Sequence, residues 1–461
     1  MSPEYTIAAI ATAPGQSGIG IVRISGPQAA EIARAVFRGP GGKPPALRSH
    51  NVSYGFVTDP DTGEKLDEAL MLFMKGPRSF TREDVVEFQC HGGPVALRRV
   101  LDAVVKKGAR LAAPGEFTKR AFLSGRIDLT QAEAALDIIR ARTEKAEKLA
   151  LRQLEGALSI KLGAMREAII EICAHVEAHL DFPEEEIEPD VRDSILDNIR
   201  MAASQTNALA ESFNEGRLYR EGVRTAIVGR PNVGKSSLLN LLLASDRAIV
   251  TSAPGTTRDV IEEALNIKGL PVVIMDTAGI RESHDMAESE GVRRSLKALE
   301  EADLVLAVFD MSCPLHDEDG IVLEKLCGKK AIAALNKSDL PRKAEESRFH
   351  GLRSVSVSAK SSEGLEGLRD AIYEEALSGG SNTEGGADAE GIVITNRRHR
   401  DALVRTNEAL GRAALRMEEG SPFEVTAIEL REALDCLGEI VGAVSTDEIL
   451  NRIFSEFCIG K

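Results

Sequence analysis

Short apolar runs separated by Gly and Pro turns fill the first 120 residues. Ile19-Gly-Ile-Val-Arg-Ile-Ser25, Ala69-Leu-Met-Leu-Phe-Met74 and Asp84-Val-Val-Glu-Phe-Gln89 predict strands. Residues 95–107 carry apolar positions every three or four residues and predict a helix. From 121 to 216 the texture changes. Gly and Pro thin out, and Ala, Leu, Glu and Arg recur at helical spacing; Leu149, Leu151, Leu154 and Leu158 belong to one such stripe. Long amphipathic helices are expected there, interrupted by a solvated acidic loop at Asp181-Phe-Pro-Glu-Glu-Glu-Ile-Glu-Pro189. Residues 217–378 alternate strand and helix patterns, the mark of a parallel α/β sheet. Ser378-Gly-Gly-Ser-Asn-Thr-Glu-Gly-Gly386 reads as a flexible linker, and 397–461 return to helical periodicity. The expected organisation is an α+β N-terminal domain (1–120), a discontinuous all-α domain (121–216 and 379–461), and an α/β domain (217–378) inserted into it.

A length of 461 residues fits two to four domains. The net charge of −15 argues against a simple polybasic nucleic-acid or membrane binder. The charge is uneven, however: residues 1–121 sum to +4 and residues 122–216 to −9. An RNA contact is therefore expected nearer the N-terminal domain or through a partner protein. The absence of Trp and an aromatic content of 4% speak against broad base-stacking platforms. No run of eighteen apolar residues appears, so no membrane span is expected. Met1-Ser-Pro-Glu-Tyr5 has neither a basic nor an apolar leader region, so secretion is not expected. Six cysteines without a C-x-x-C pair suggest reduced thiols in a cytosol. Cys90-His91 reads as a packed turn rather than part of a metal site.

The chemistry concentrates in the α/β segment. The apolar run Val223–Val228 leads into Gly229-Arg-Pro-Asn232-Val233-Gly234-Lys235-Ser236, followed by Ser237 and a leucine-rich helix. This is G-x-x-x-x-G-K-[ST] in its required strand–loop–helix setting. The glycines let backbone N–H groups turn toward phosphates, and the helix N-terminus adds its dipole. Lys235 would reach the β- and γ-phosphates, and Ser236 would ligate Mg²⁺. Further on, a strand ends in Asp276-Thr277-Ala278-Gly279, suited to Mg²⁺ and the γ-phosphate. Another ends in Asn336-Lys337-Ser-Asp339, whose carboxylate accepts both the N1–H and the exocyclic amine of guanine. Ser358-Ala359-Lys360 would bring a backbone N–H to the guanine O6. Four such motifs in this order point to GTP or GDP and to a Ras-like fold.

Ras-type enzymes place a water-orienting Gln after Asp-x-x-Gly. Ile280 stands there and forms no hydrogen bond through its side chain. Arg281, Glu282, Asp285, Glu288 and Glu290 are the candidates to replace it. The hydroxyl-rich loop Thr251-Ser252-Ala253-Pro254-Gly255-Thr256-Thr257 lies between the phosphate loop and Asp276, and a Thr there would close on Mg²⁺.

These words, together with Gly20-Ile-Val-Arg23-Ile-Ser-Gly26, Cys90-His-Gly-Gly-Pro94, Pro114-Gly-Glu-Phe117, Asp128-Leu-Thr-Gln-Ala-Glu133 and Phe457-Cys458-Ile-Gly-Lys461, resemble the MnmE (TrmE) family of tRNA-modifying GTPases over the whole chain. The resemblance implies a folate-binding N-terminal domain that also dimerises, a split helical domain and an inserted G domain. It implies K⁺-stimulated GTP hydrolysis, with K⁺ held by Asn232, Thr251, Ala253 and Thr256, and Mg²⁺ by Ser236 and Thr257. Glu288 would orient the attacking water through an intermediary, and Arg281 stays a catalytic candidate. A 5-formyl- or 5,10-methylene-tetrahydrofolate would bind at Arg23, Glu87, Arg126 and Lys461; the family pattern has Lys where Arg126 stands. Cys458 matches a cysteine tied to the modification. The implied partners are a second copy of the chain, a flavin-dependent protein of the MnmG (GidA) family in a heterotetramer or larger assembly, and tRNA modified at C5 of the wobble uridine with an aminomethyl or carboxymethylaminomethyl group. An RNA-binding ribosome-assembly GTPase is the alternative; such relatives carry a KH domain or a second G domain, and no second phosphate loop or KH-like C-terminus occurs here.

Overall fold

The computed structural model describes residues 5–181, 189–246, 248, 263–275, 299–378, 392–444 and 446–461. The chain opens with β1 (Ile7–Ile10), β2 (Ser17–Ser25), α1 (Ala29–Val36), β3 (Phe37–Arg38), β4 (Asn51–Thr58), β5 (Lys65–Met74), β6 (Val85–Gly92), α2 (Pro94–Lys106) and β7 (Arg110–Leu111). The strands form one sheet in the order β3-β4-β5-β6-β2-β1-β7, antiparallel except for β1 with β7.

Strand pleating decides which residues enter the core. Val22, Ile24, Val57, Met71, Phe73, Val86 and Phe88 turn inward and pack with Ile32, Val36, Val100 and Val104 of α1 and α2. Gly20 lets α2 come this close, since a Cβ there would stand 2.5 Å from Leu97 Cδ1. The opposite face carries Ile21, Arg23, Val52, Tyr54, Leu70, Leu72, Glu87 and Gln89.

Cys90-His91 corrects the expected turn: both residues lie in β6. The pleat sends Cys90 into the core, where burial pushes its thiol up to about 12. It sends exposed His91 outward, with Nδ1 2.7 Å from Asp67 Oδ1. Among the described residues, no cluster of His, Cys, Asp or Glu is fit to hold a metal.

Helices follow: α3 (Glu116–Leu123), α4 (Leu129–Arg140), α5 (Glu144–Leu154), α6 (Ala157–Asp181), α7 (Pro189–Glu211) and α8 (Phe213–Glu221). Asp128 starts α4 with a reciprocal capping box through Gln131, the D-x-x-Q pattern visible in the sequence. Residues 216 and 217, where the sequence pattern changes, lie inside α8. Next come β8 (Val223–Val228), α9 (Lys235–Asp246), β9 (Glu263–Ile267), β10 (Leu270–Met275), β11 (Leu304–Asp310), α10 (Asp317–Leu326), β12 (Ala331–Asn336), β13 (Arg353–Ser356) and α11 (Leu365–Leu377). These strands make a second sheet in the order β13-β12-β11-β8-β10-β9, parallel except for β9. Every residue of β11 is buried, as a strand covered on both faces requires.

The last helices are α12 (Arg397–Glu418), α13 (Phe423–Val441) and α14 (Asp447–Ser455). Ile169, Val176 and Ile199 from before the second sheet share one core with Leu403, Leu410, Leu430 and Leu437 from after it. The helical unit is thus split in sequence around an inserted Ras-like α/β unit. Phe454 of its final helix and Phe457 just beyond it pack with Leu129 and Leu136. No helix of the described residues is long and apolar enough to cross a membrane.

Candidate functional site

The phosphate loop joins β8 to α9. Two of its glycines are required by crowding and by positive φ. A Cβ on Gly229 (φ +148°) would stand 2.4 Å from Val308 O, and one on Gly234 (φ +100°) 2.2 Å from Asn336 Nδ2. Asn232 also takes the left-handed conformation, at φ +63°. Lys235, first residue of α9, donates to Gly229 O (2.7 Å) and Arg230 O (2.9 Å), which folds its side chain back over the loop. Burial lowers its ammonium below the ordinary value. Ser236 and Ser237 are exposed on the first turn of α9, and Asn232 is exposed on the loop. Val233 is buried beneath it.

The base-reading segment stands at the carboxyl end of β12. Buried Asn336 donates its amide to Val233 O (2.7 Å) and accepts from Ala359 N–H (3.1 Å), tying the phosphate loop to the Ser358–Lys360 segment. Asp339 is exposed, and its Oδ1 accepts the hydroxyl of fully buried Ser358 at 2.7 Å. Lys337, at φ +65°, donates Nζ to Asp310 at 2.6 Å. The parallel strands therefore bring Asn232–Ser237, Asn336–Asp339 and Ser358–Lys360 to one edge, where ligands bind in such sheets. Thr251–Thr257, Asp276–Gly279, Arg281 and Glu288 lie outside the described residues. Asp310 was not singled out in the sequence; its only signal there is a lone acid ending an apolar run.

The second constellation lies on the outer face of the first sheet. Register places Glu87 between Leu72 and Arg23. Arg23 Nε donates to Glu87 Oε1 at 2.7 Å, and its guanidinium stands 5.7 Å over the Phe117 ring. The C-terminus comes to the same place, with Arg23 Nη1 donating to Gly460 O at 3.4 Å. Exposed Lys461 has its ammonium lowered by local burial and by the Arg23 charge. Arg126 joins through rings: it lies 5.4 Å over Phe80, which packs with the cluster containing Phe117. Its own guanidinium donates to Ser79 O. Exposed Cys458 and Lys461 line a cleft of about 1810 Å³ that also receives Arg98, Arg140 and Arg224.

Two family models cover most of the chain. One, described as the GTP-binding protein TrmE N-terminus, matches residues 6–126; the other, the MnmE helical domain, matches 129–458. The tRNA modification GTPase MnmE of Geobacter sulfurreducens is 48% identical over all of both chains. That of Thermoanaerobacter pseudethanolicus is 45% identical over 99% of each. The G domain of the T. maritima FeoB iron transporter is 28% identical across 33% of this chain and 97% of its own, at a TM-score of 0.25. Full-length identity near one half, with a family model spanning well over half of the residues, places the chain in the MnmE family of tRNA modification GTPases.

Proposed function

We propose that this GTPase hydrolyses GTP at the β8–α9 and β12 edge to drive modification of C5 of the tRNA wobble uridine, using a one-carbon unit from a tetrahydrofolate. The carrying observation is the union of two distant pieces of chain: the terminal Gly460-Lys461 rests against the Arg23–Glu87 pair of the first sheet. Cation, carboxylate and the Phe117 ring at one place suit a ligand with an aromatic head and acidic tail. Arg23, Glu87 and Lys461 would hold that folate, with Arg126 at its flank, and the folate supplies the carbon. Cys458 opens to the adjoining cleft, which suits a part in the modification.

At the nucleotide, Ser236 and Thr257 would hold Mg²⁺. Asn232, Thr251, Ala253 and Thr256 would hold K⁺, which spreads charge from the transferring phosphoryl group. The exposed, left-handed Asn232 supports this reading. Glu288 would orient water through an intermediary, and Arg281 is a further candidate for that task. The exposed apolar row Ile19, Val52, Tyr54 and Leu70 supports dimerisation through the first sheet. A flavin-dependent MnmG-type protein is the partner, in the cytoplasm. The proposed domain limits stay those of the sequence pattern, 1–120, 121–216, 217–378 and 379–461, with the 216/217 limit falling inside α8.

Binding of labelled 5-formyl-tetrahydrofolate to the full chain tests the folate reading. Saturable binding lost in Arg23→Ala is expected; no saturable binding in the unmutated protein would refute it. Mass spectrometry of wobble uridine from a deletion strain, with and without the gene restored, tests the reaction.

A further inference from the structure

Asp310 ends β11 and lies opposite Asn336, which ends β12. Its carboxylate is buried and engaged on both oxygens. Oδ1 accepts the Ser312 N–H at 2.9 Å and the Ser312 hydroxyl at 2.6 Å. Oδ2 accepts Lys337 Nζ at 2.6 Å, and Arg230 Nη2 of the phosphate loop lies 3.9 Å away. Burial alone would raise this carboxyl; Lys337 and Ser312 outweigh it and hold it at about 2.

Two residues beyond Lys337 stands exposed Asp339, the proposed acceptor of the guanine N1–H and amine. The two residues are separated by one position on the same loop, and opposite charges attract across so short a stretch of chain. A lysine ammonium is a mobile point charge on a flexible four-carbon stem. Released from β11, the Lys337 ammonium would settle on Asp339 and occupy the acceptors that guanine needs. Its left-handed backbone is also one that an L side chain holds only where its surroundings fix it.

We infer that Asp310 is a specificity-setting positioning residue: by holding Lys337 at the end of β11, it keeps Asp339 open to the base. The inference rests on the guanine-site reading above. It differs from a general structural role in one consequence. Loss of loop structure would weaken all nucleotides alike, whereas a masked Asp339 would penalise most the base that uses both of its acceptors.

The test compares GDP with IDP, which lacks the exocyclic amine, by displacement of a fluorescent nucleotide from the full chain. The unmutated protein should prefer GDP; equal binding would refute the guanine-site reading itself. In Asp310→Asn, GDP affinity should fall about tenfold or more and the GDP-to-IDP ratio should shrink toward one. In Asp310→Asn/Lys337→Met no ammonium remains to compete, and the ratio should recover. Should Asp310→Asn not fold, Asp310→Glu should show a smaller loss of the same ratio. With GDP preferred by the unmutated chain, an unchanged ratio in the folded single variant, or no recovery in the double, overturns the inference alone.

Discussion

Glu133 and His399, separated by 266 residues, meet in the helical core through a 2.6 Å contact between Oε2 and Nε2. Both are buried. The same carboxylate accepts Asn396 Nδ2 at 3.0 Å, Arg398 Nε at 3.0 Å and Arg398 Nη2 at 2.8 Å. Arg398 in turn donates to Glu439 O and Ile440 O. One carboxylate in α4 thereby fixes the start of α12 and the end of α13, closing the split helical unit. Removing one partner of such a buried pair costs about 3–5 kcal/mol, because the remaining charge stays unpaired out of water. Glu133→Gln should therefore lower the urea midpoint strongly, with its first effect on α12 protection in hydrogen exchange. Arg200→Gln, which removes an exposed pair with Glu418, should change the midpoint little.

The same network makes stability depend on acid. Burial would raise the Glu133 carboxyl, but His399 and Arg398 outweigh it and bring it to about 2, from an ordinary 4.5. Burial lowers the His399 imidazole below its ordinary 6.5, overcoming the pull of Glu133, so it is neutral near pH 7. Both values are depressed on folding, so both contributions are complete above the unfolded values and fade as pH falls. The His399 contribution should fade below about pH 6.5 and that of Glu133 between about 4.5 and 2. Urea titrations at pH 7.5, 6 and 5 should show falling stability, and His399→Gln should flatten that fall. A midpoint that rises on acidification would contradict the assignment.

Much of this architecture is legible in the sequence where one local rule governs. Leu304–Phe309 is a continuous apolar run because a central parallel strand is covered on both faces. The phosphate loop is legible because Gly229 and Gly234 answer local crowding. Cys90-His91 misleads because the following Gly-Gly-Pro resembles a turn, while the pleat continues to Gly92. The Arg23–Glu87 pair is set by register between β2 and β6, which periodicity alone does not supply, so only resemblance pointed to it. Asp310 is silent for the same reason: its meaning comes from standing beside Asn336 on another strand.

Gly460 controls the C-terminal tail. It sits at φ +97°, and a Cβ there would stand 2.3 Å from Ile10 O and 2.8 Å from Ala11 Cα. Backbone at the end of β1 yields little, so Gly460→Ala should lift the last residues from the Arg23 site. If the proposed folate site is there, affinity for 5-formyl-tetrahydrofolate should drop about tenfold or more, as expected when backbone strain and a lost charged contact combine. GTP turnover should be unchanged, since the phosphate loop is untouched. Equal folate binding by Gly460→Ala and the unmutated chain would show that the tail takes no part in the site.

Asn232 offers the sharpest test of the potassium reading. Its side chain is exposed on the phosphate loop, and its backbone is left-handed at φ +63°. Alanine would remove the side chain and also disfavour that backbone by about 1–2 kcal/mol. Glycine would remove the side chain while accepting the backbone. If Asn232 supplies a ligand to K⁺, Asn232→Ala and Asn232→Gly should both lose stimulation by K⁺ over Na⁺. GDP affinity should stay nearly intact, most closely in the glycine variant, because Lys235 and Asn336 still shape the loop. GTP turnover in matched K⁺ and Na⁺ buffers, with GDP binding measured alongside, separates the outcomes. Retained K⁺ stimulation in Asn232→Gly would remove this residue from the ion site, and loss confined to Asn232→Ala would assign its effect to backbone conformation.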